Sequence, residues 1–243
     1  MKRQKKLHVD VLTIFPEMID KYASLSILGR AQKADLLKVS THNLREYTNN
    51  KHGHVDDRPF GGGPGMILQI EPIYNTMKAL NLIDDCALKK INKKLIKSET
   101  TLGKSKIKLK TAVILTSAKG KLFTQKEAKR LSVYDRLVFI CGRYEGVDER
   151  VAKYLSHEEF SIGHYILTGG ELASLVMMDA IARLRPRVLG KETSLNEESW
   201  SNGYNREYPQ YTRPEEFLNR KVPKVLISGD HKKIAEWRKK KSK

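Results

Sequence analysis

Two segments of the chain combine glycines with charged and aromatic side chains, a combination that lets the backbone approach a ligand closely. Residues 141–150 (CGRYEGVDER) follow the apolar run 137–141, and residues 161–172 (SIGHYILTGGEL) begin at another short strand-like run. In open α/β sheets, ligands bind beyond the carboxyl ends of the parallel strands. If both runs are strands of one sheet, the two segments line a common cleft.

Some residues of these segments suit a ligand and others suit a structural role. Three apolar side chains lie in the second segment, where they would cover a flat heteroaromatic ring such as adenine: Ile162, Tyr165 and Leu167. Thr168 and Glu171 match a helix-capping box and are predicted to be structural. Asp148, in the first segment, is predicted to cap the helix that follows.

A third glycine-rich segment, Gly61–Gly65, follows Asp57 and Arg58. It allows close approach of a ligand but lacks the spacing of a dinucleotide-binding loop or a P-loop, and a tight structural turn is the alternative. Farther along, Asp179 and Arg183 stand at i and i+4 of a predicted helix. They form either a weak surface salt bridge or a pair in which Asp179 holds the Arg183 guanidinium towards a base carbonyl.

Hydrophobic periodicity predicts an α/β fold with a mostly parallel sheet. Strand-like and helix-like runs alternate along the chain: 7–15, a helix from Pro16, 27–35, 36–40, 66–70, 71–82, 111–116, 125–131, 136–142, 148–155, 160–162 and 170–184. Residues 1–189 are therefore predicted to form the main domain, with a lysine-rich surface insertion at 89–110. Residues 190–204 read as a flexible polar linker, and residues 205–243 as a small helical domain that ends in a basic helix near 231–241.

The chain has 243 residues and a formal net charge of +18. The whole excess falls in three peripheral segments, 2–6, 89–110 and 231–243, and the rest of the chain is neutral. Such segments would attract a polyanion such as nucleic acid, although a solvated lysine-rich surface is the alternative. No apolar run is long enough for a membrane span, and the two cysteines form no CxxC pair. We therefore expect a cytoplasmic protein with no membrane partner.

Four runs together are similar to those of the bacterial tRNA (guanine-N1)-methyltransferases: VDDRPFGGGPGM, CGRYEGVDERV, SIGHYILTGGEL and QYTRP. This family belongs to the SPOUT class of S-adenosylmethionine-dependent methyltransferases, and the resemblance covers most of residues 7–230. It implies an α/β domain with a deep C-terminal trefoil knot and a homodimer whose active sites are shared between subunits. The implied reaction is methylation of N1 of the guanine immediately 3′ of the anticodon, tRNA position 37, next to another guanine.

The resemblance also assigns residues to this reaction. The implied S-adenosylmethionine site comprises Leu115, Thr116, Gly142, Tyr144, Glu145, Ile162, Gly163, His164, Tyr165, Ile166, Leu167, Gly169 and Gly170. Arg183 matches the catalytic arginine that holds the target guanine, with Asp179 beside it. Asp57, Arg58 and Gly62 fall on the stretch that meets the tRNA, and residues 205–243 match the domain that helps to grip it.

The sequence departs from the family pattern at two places. The catalytic base of the family is an aspartate in an Asp-Ser-aromatic run, where this chain has Glu198-Ser199-Trp200. We expect Glu198 to be the base, with Glu197 as the alternative, because a carboxylate can remove the N1 proton. Thr116-Ser117-Ala118 replaces a Ser-Pro-Gln-like run in the donor loop.

Two further expectations concern metals and rival functions. The resemblance adds a divalent ion such as Mg²⁺ as a helper, although no isolated ligand cluster in the sequence marks a site for it. The alternatives are a knotted methyltransferase that acts on another RNA and a non-catalytic RNA-binding protein. A titration with the methyl donor separates the last of these from an enzyme.

Overall fold

The computed structural model describes residues 5–90, 93–101, 108–190, 198–200 and 207–242. The chain divides into two compact units, Met1–Gly190 and Lys191–Lys243. Much of the predicted linker, together with residues 91–92 and 102–107 of the lysine-rich insertion, lies outside the described residues.

The first unit alternates strands and helices along the chain. Its elements are β1 (Leu7–Thr13), α1 (Pro16–Ala23), α2 (Ser26–Lys33), β2 (Leu37–Asn43), β3 (Asp56–Asp57), β4 (Ile67–Leu68), α3 (Ile70–Ala79), β5 (Glu99–Thr100), β6 (Leu109–Leu122), α4 (Gln125–Leu131), β7 (Arg136–Cys141), β8 (Glu158–Ser161) and α5 (Glu171–Ala182). A 3-10 helix at Leu44–Tyr47 and a π-helical turn at Val151–Leu155 complete it.

The main sheet has the order β2-β1-β7-β6-β5, and β8 also pairs with β6. All of these pairings are parallel except that of β5 with β6. The prediction of a mixed α/β fold with a mostly parallel sheet is confirmed. The carboxyl ends of β6, β7 and β8 consequently lie side by side at one edge.

Both faces of the sheet are covered, as parallel sheets require. Along β7, Leu137 and Phe139 point into one core with α1, α2, α4 and α5. Val138 and Ile140 point into the other core with α3 and the π-helical turn. Every residue of β7 is buried, which explains why this strand reads as a continuous apolar run.

Several predicted elements have different bounds in the structure. The strand predicted at 66–70 is only β4, because Ile70 already begins α3. The helix predicted at 148–155 is only the short π-helical turn. Asp148 lies just before this turn, and its carboxylate accepts a hydrogen bond from the Arg150 amide at 2.9 Å. Single π-helical turns are rare and occur frequently at functional sites.

The second unit contains a β-hairpin, β9 (Glu216–Phe217) with β10 (Arg220–Lys221), followed by α6 (Lys224–Ile227) and α7 (His231–Lys241). The basic helix predicted near residues 231–241 is α7. Its first turn is capped by Asp230, whose carboxylate accepts a hydrogen bond from the Lys233 amide at 3.1 Å. Among the described residues of both units, no helix has the length and apolar character needed to cross a bilayer.

A buried ion pair crosses the middle of the sheet. The Arg136 guanidinium, 1% exposed, donates to Asp10 at 2.8 Å, and His42 Nε2 lies 2.8 Å from the other carboxylate oxygen. Burial opposes ionisation of Asp10, but the hydrogen bond with His42 and the charge of Arg136 outweigh it. The pKa of Asp10 is therefore below its ordinary value.

We expect Arg136→Met to lower the free energy of unfolding by about 3–5 kcal/mol, because it leaves a buried carboxylate without its cation. The stabilisation from Asp10 is present above the pKa of its unfolded form and disappears as pH falls through the lower pKa of the folded form. Urea unfolding should therefore show the largest difference from the wild type at neutral pH and a smaller one below about pH 4. Arg150→Met is the control, because the exposed Arg150–Asp148 pair contributes about 1 kcal/mol or less. Equal losses in the two variants would contradict the assigned role of Arg136.

Candidate active site

A cleft of about 470 Å³ opens at the carboxyl edge of the sheet. Three loops supply most of its lining: the irregular stretch within β6 between Thr116 and Lys121, the loop after β7 and the loop after β8. The lining residues are Ile67, Leu115–Lys119, Gly142–Val147, Glu149, Ala152, Glu159–Ile162, Tyr165–Gly170 and Ala173. Eleven of the thirteen residues implied for the methyl donor are in this set. The other two, Gly163 and His164, lie in the third loop but outside the lining.

The loops touch one another through backbone. The Gly170 amide donates to the Gly142 carbonyl at 2.8 Å, and the Gly142 amide donates to Thr116 Oγ1 at 3.3 Å. A Cβ at Gly170 would lie 1.9 Å from Thr116 Oγ1 and 2.8 Å from the Gly142 nitrogen. Only glycine at position 170 therefore permits this approach of the three loops.

Glu171, the first residue of α5, is fully buried beneath the cleft. Its carboxylate accepts a hydrogen bond from Thr13 Oγ1 at 2.7 Å and one from Arg143 Nε at 2.8 Å. The predicted capping box of Thr168 and Glu171 is wrong, because α5 has no side-chain cap and Glu171 points into the protein. The Glu171 carboxylate instead binds Arg143 on the loop after β7.

Arg143 contacts several parts of the protein around the cleft and has a structural role there. It donates to the Thr168 carbonyl at 3.3 Å, and its guanidinium carbon stands 4.5 Å from the centre of the Phe15 ring. A Cβ at Gly169 would lie 2.2 Å from Arg143 Nε. The loop after β8 can therefore close over Arg143 only with glycine at position 169.

The loop after β8 presents apolar side chains to the cleft. Tyr165 is 56% exposed, Ile166 is 81% exposed, and Leu167 is 37% exposed. Water contact with this much apolar surface is unfavourable, and a flat ring placed here would remove it. Ile162 is half-buried and also lines the cleft, and the assignment of these side chains to an adenine ring stays a prediction.

The loop after β7 is braced by β4. The amide of Glu145 donates to the Met66 carbonyl, and the amide of Leu68 donates to the Gly146 carbonyl, both at 3.0 Å. Tyr144, at a positive φ of 60°, forms a bridge with Ile67. Burial first, and then a hydrogen bond with Asp56, raises the pKa of the Tyr144 hydroxyl. The glycine-rich segment is therefore anchored directly beside the cleft.

Sequence reasoning missed a charged end of the cleft. Lys119 forms an ion pair with Glu149, and this hydrogen bond raises the pKa of the Lys119 ammonium. Glu159 Oε1 is shielded from solvent and has no hydrogen-bond partner among the described residues. No local sequence signal marks these residues, because β8 and the π-helical turn bring them together only in the folded sheet.

The remaining predicted residues lie outside the cleft lining. Asp57, Arg58 and Gly62 are exposed or nearly so along the glycine-rich segment. Asp179 accepts a hydrogen bond from the Tyr22 hydroxyl at 3.1 Å, and Arg183 follows the last residue of α5. Glu198 belongs to the second unit and Glu197 lies outside the described residues, so the identity of the base stays a prediction. Among the described residues, no group of three or more His, Cys, Asp and Glu side chains is placed to hold a metal ion.

Comparison with known proteins identifies the family. The model of the family described as tRNA (Guanine-1)-methyltransferase TrmD matches residues 7–243. A tRNA (guanine-N(1)-)-methyltransferase of Staphylococcus haemolyticus is 46% identical over 232 residues, covering 96% of this chain and 84% of the relative. One of Clostridium acetobutylicum is 44% identical over 236 residues, covering 97% and 86%. The chain therefore belongs to the tRNA (guanine-1)-methyltransferase family and is an enzyme of tRNA modification. These matches confirm the resemblance seen in its motifs.

We expect Gly170→Ala to lower the free energy of unfolding by about 1–3 kcal/mol, because the added methyl group forces the three loops apart. Gly190→Ala is the matched control, since a Cβ there meets nothing within 4 Å. In urea unfolding, the double variant Gly170→Ala/Thr116→Ala should recover part of the loss, because one of the two close contacts disappears. A Gly170→Ala variant as stable as Gly190→Ala would show that the loops are not constrained in this way.

Proposed function

We propose that this enzyme transfers the methyl group of S-adenosylmethionine to N1 of the guanine at tRNA position 37. The observation that carries the proposal is the cleft at the carboxyl edge of β6, β7 and β8. It combines exposed apolar side chains for a flat ring with backbone brought close by Gly142, Gly169 and Gly170. The glycine-rich segment beside it offers a route for a substrate larger than the donor.

The residues present fit the methyl donor. Tyr165, Ile166 and Leu167 would cover its adenine. Glu159, which has a carboxylate oxygen without a hydrogen-bond partner among the described residues, suits a ligand that carries positive charge. When bound, S-adenosylmethionine supplies an electrophilic methyl group on a sulfonium. Gly163 and His164 would act through the conformation of their loop. Among the described residues, no cluster of three or more His, Cys, Asp and Glu side chains marks a site for the Mg²⁺ that the resemblance adds as a helper.

The protein must also make guanine N1 nucleophilic. N1 carries a proton at neutral pH, and Glu198 would remove it as general base, with Glu197 as the alternative. Negative charge then develops on O6, where the Arg183 guanidinium would stabilise it more strongly than in the ground state. Asp179, one helical turn before Arg183, would help to orient it.

The finer architecture follows from the same family. A trefoil knot of the SPOUT type is supported by the mutual contact of Thr116 in β6 with the loops after β7 and β8, where Gly142 and Gly170 leave no space between them. Residues 190–204 would act as a flexible linker to a tRNA-binding domain at 205–243, in which α7 carries the basic side chains. A cytoplasmic location agrees with the two cysteines, Cys86 and Cys141, which are both free thiols.

A homodimer with shared active sites is supported by α5. This helix is apolar on nearly every side, a pattern typical of helices that are buried all round. Yet Leu172 and Val176 are each about half exposed in the single chain, as is Tyr22 nearby on α1, whose hydroxyl reaches Asp179 of α5. A second subunit would cover this face.

The function is tested with unmodified tRNA transcripts that carry guanine or adenine at position 37. We expect methyl incorporation from labelled S-adenosylmethionine only into the guanine transcript, with 1-methylguanine as the product in nuclease digests. Incorporation into the adenine transcript, or into another position, would point to a different RNA target. Absence of donor binding in calorimetry would instead indicate a non-catalytic RNA-binding protein.

Substitution of the base should separate chemistry from binding. We expect Glu198→Gln to lower single-turnover methyl transfer by about 10²–10⁴-fold, while the Kd for S-adenosylmethionine stays nearly unchanged. Glu215→Gln, at an exposed position of the second unit, is the control and should retain wild-type turnover. Near-native turnover in Glu198→Gln would transfer the role to Glu197.

Arg183→Ala should lower turnover by more than it weakens donor binding, and the reverse would refute its role at O6.

A further inference from the structure

Phe60 is the most exposed large apolar side chain among the described residues. Its ring is fully in solvent, although burying a phenylalanine is worth about 1.5–3 kcal/mol. A single exposed apolar residue is ordinary on a protein surface. What distinguishes Phe60 is the loop that carries it and the place where that loop is fixed.

The loop holds the ring away from the rest of the protein. Gly61, Gly62 and Gly63 follow Phe60 with φ values of 86°, 79° and 126°, which side chains rarely adopt. A Cβ at Gly61 or Gly62 would meet no atom within 4 Å. The backbone next to the ring is thus bare, and a planar group can reach the ring without displacing a neighbouring side chain.

Both ends of the loop are fixed at the cleft. Asp57 pairs with Ile67 between β3 and β4, and Ile67 lines the cleft and bridges to Tyr144. Phe60 is three residues beyond Asp57, so its Cα lies at most about 11 Å from that pair. The ring therefore stands within a short reach of the cleft in which we place methyl transfer.

The family's substrate, tRNA, is the occupant that fits an exposed ring beside the cleft. Arg58, also exposed and two residues before Phe60, would neutralise a backbone phosphate, while Asp56 and Asp57 before it leave the segment without a net positive charge. Aromatic rings beside basic groups form stacking platforms for unpaired bases. A base that is modified on its Watson–Crick edge must leave the stack of its neighbours, which exposes a face of the adjacent base.

We propose that Phe60 stacks on an unpaired nucleobase adjacent to the target guanine and thereby holds the anticodon loop open for methylation. Phe60 is a positioning residue in this role, because it contacts the substrate away from the reacting atoms. The inference rests on the proposed tRNA substrate. It adds a base-stacking contact to that substrate's binding.

The test compares Phe60→Ala, Phe60→Leu, Phe60→Tyr and Phe60→Trp in steady-state methylation of the guanine-37 transcript. Stacking requires a flat ring, so we expect the Ala and Leu variants to lose about tenfold or more in kcat/KM for tRNA. The Tyr and Trp variants should stay within about threefold of the wild type, and the KM for S-adenosylmethionine should not change in any variant. Val133→Ala is the control, since Val133 is exposed and lies just before β7, at the amino edge of the sheet.

A second measurement does not depend on turnover. Transcripts with 2-aminopurine on the 3′ side of the target guanine, or with a fluorescent guanine analogue on its 5′ side, should lose fluorescence on binding the wild type, because stacking quenches it, and should not do so with Phe60→Leu. If Phe60→Leu retains activity that Phe60→Ala lacks, the side chain packs against protein and the inference is wrong. A lower molecular mass of Phe60→Ala in sedimentation would then place that contact in a second subunit. Wild-type-like behaviour of Ala and Leu in both assays overturns the inference. A wild type that binds the transcript with quenching but does not methylate it would refute the proposed function alone.

Discussion

The cleft depends on one buried carboxylate. Glu171 stands at the start of α5, where it binds Thr13 from the end of β1 and Arg143 from the loop after β7. A buried charge is costly unless it is paired and hydrogen-bonded, so these partners must remain in place while the chain is folded. Glu171 and its two partners come from three separate parts of the sequence. The Glu171 carboxylate therefore fixes the relative positions of the end of β1, the loop after β7 and the start of α5.

The same interaction determines what the cleft can offer a ligand. Arg143 lines the cleft, but its guanidinium is paired with Glu171 and lies over the Phe15 ring, so its charge is already matched. The loop after β8 has to pass over that guanidinium, which requires glycine at 169, and its approach to Thr116 and Gly142 requires glycine at 170. Backbone and apolar side chains therefore form one part of the lining, and the Lys119–Glu149 ion pair and Glu159 form another.

Local patterns predicted the elements better than they predicted the partners. α4 and α7 occupy the residues expected from periodicity, and glycine with strand-end position indicated the loops of the cleft. The capping box failed for a physical reason. A Thr-x-x-Glu run has the same local appearance whether the glutamate caps a helix or enters the core. Here Glu171 enters the core because it binds Arg143, 28 residues away, and Thr13, 158 residues away. Glu159 was missed likewise, because its place beside the cleft follows from strand pairing across the sheet.

The distribution of charge completes this picture. Within the first unit, two buried carboxylates are paired with arginines, Asp10 with Arg136 and Glu171 with Arg143. The net charge of +18 arises from residues 2–6, 89–110 and 231–243, in which lysine predominates. Contacts of lysine with phosphate are strong but insensitive to base identity, whereas discrimination of a base requires shaped contacts with its edges and faces. A polyanion held by such segments would not have to fill the cleft with its phosphates. In the proposed function, recognition of the guanine would therefore be left to Arg183 and the carboxylate base, with Phe60 on the adjacent nucleobase.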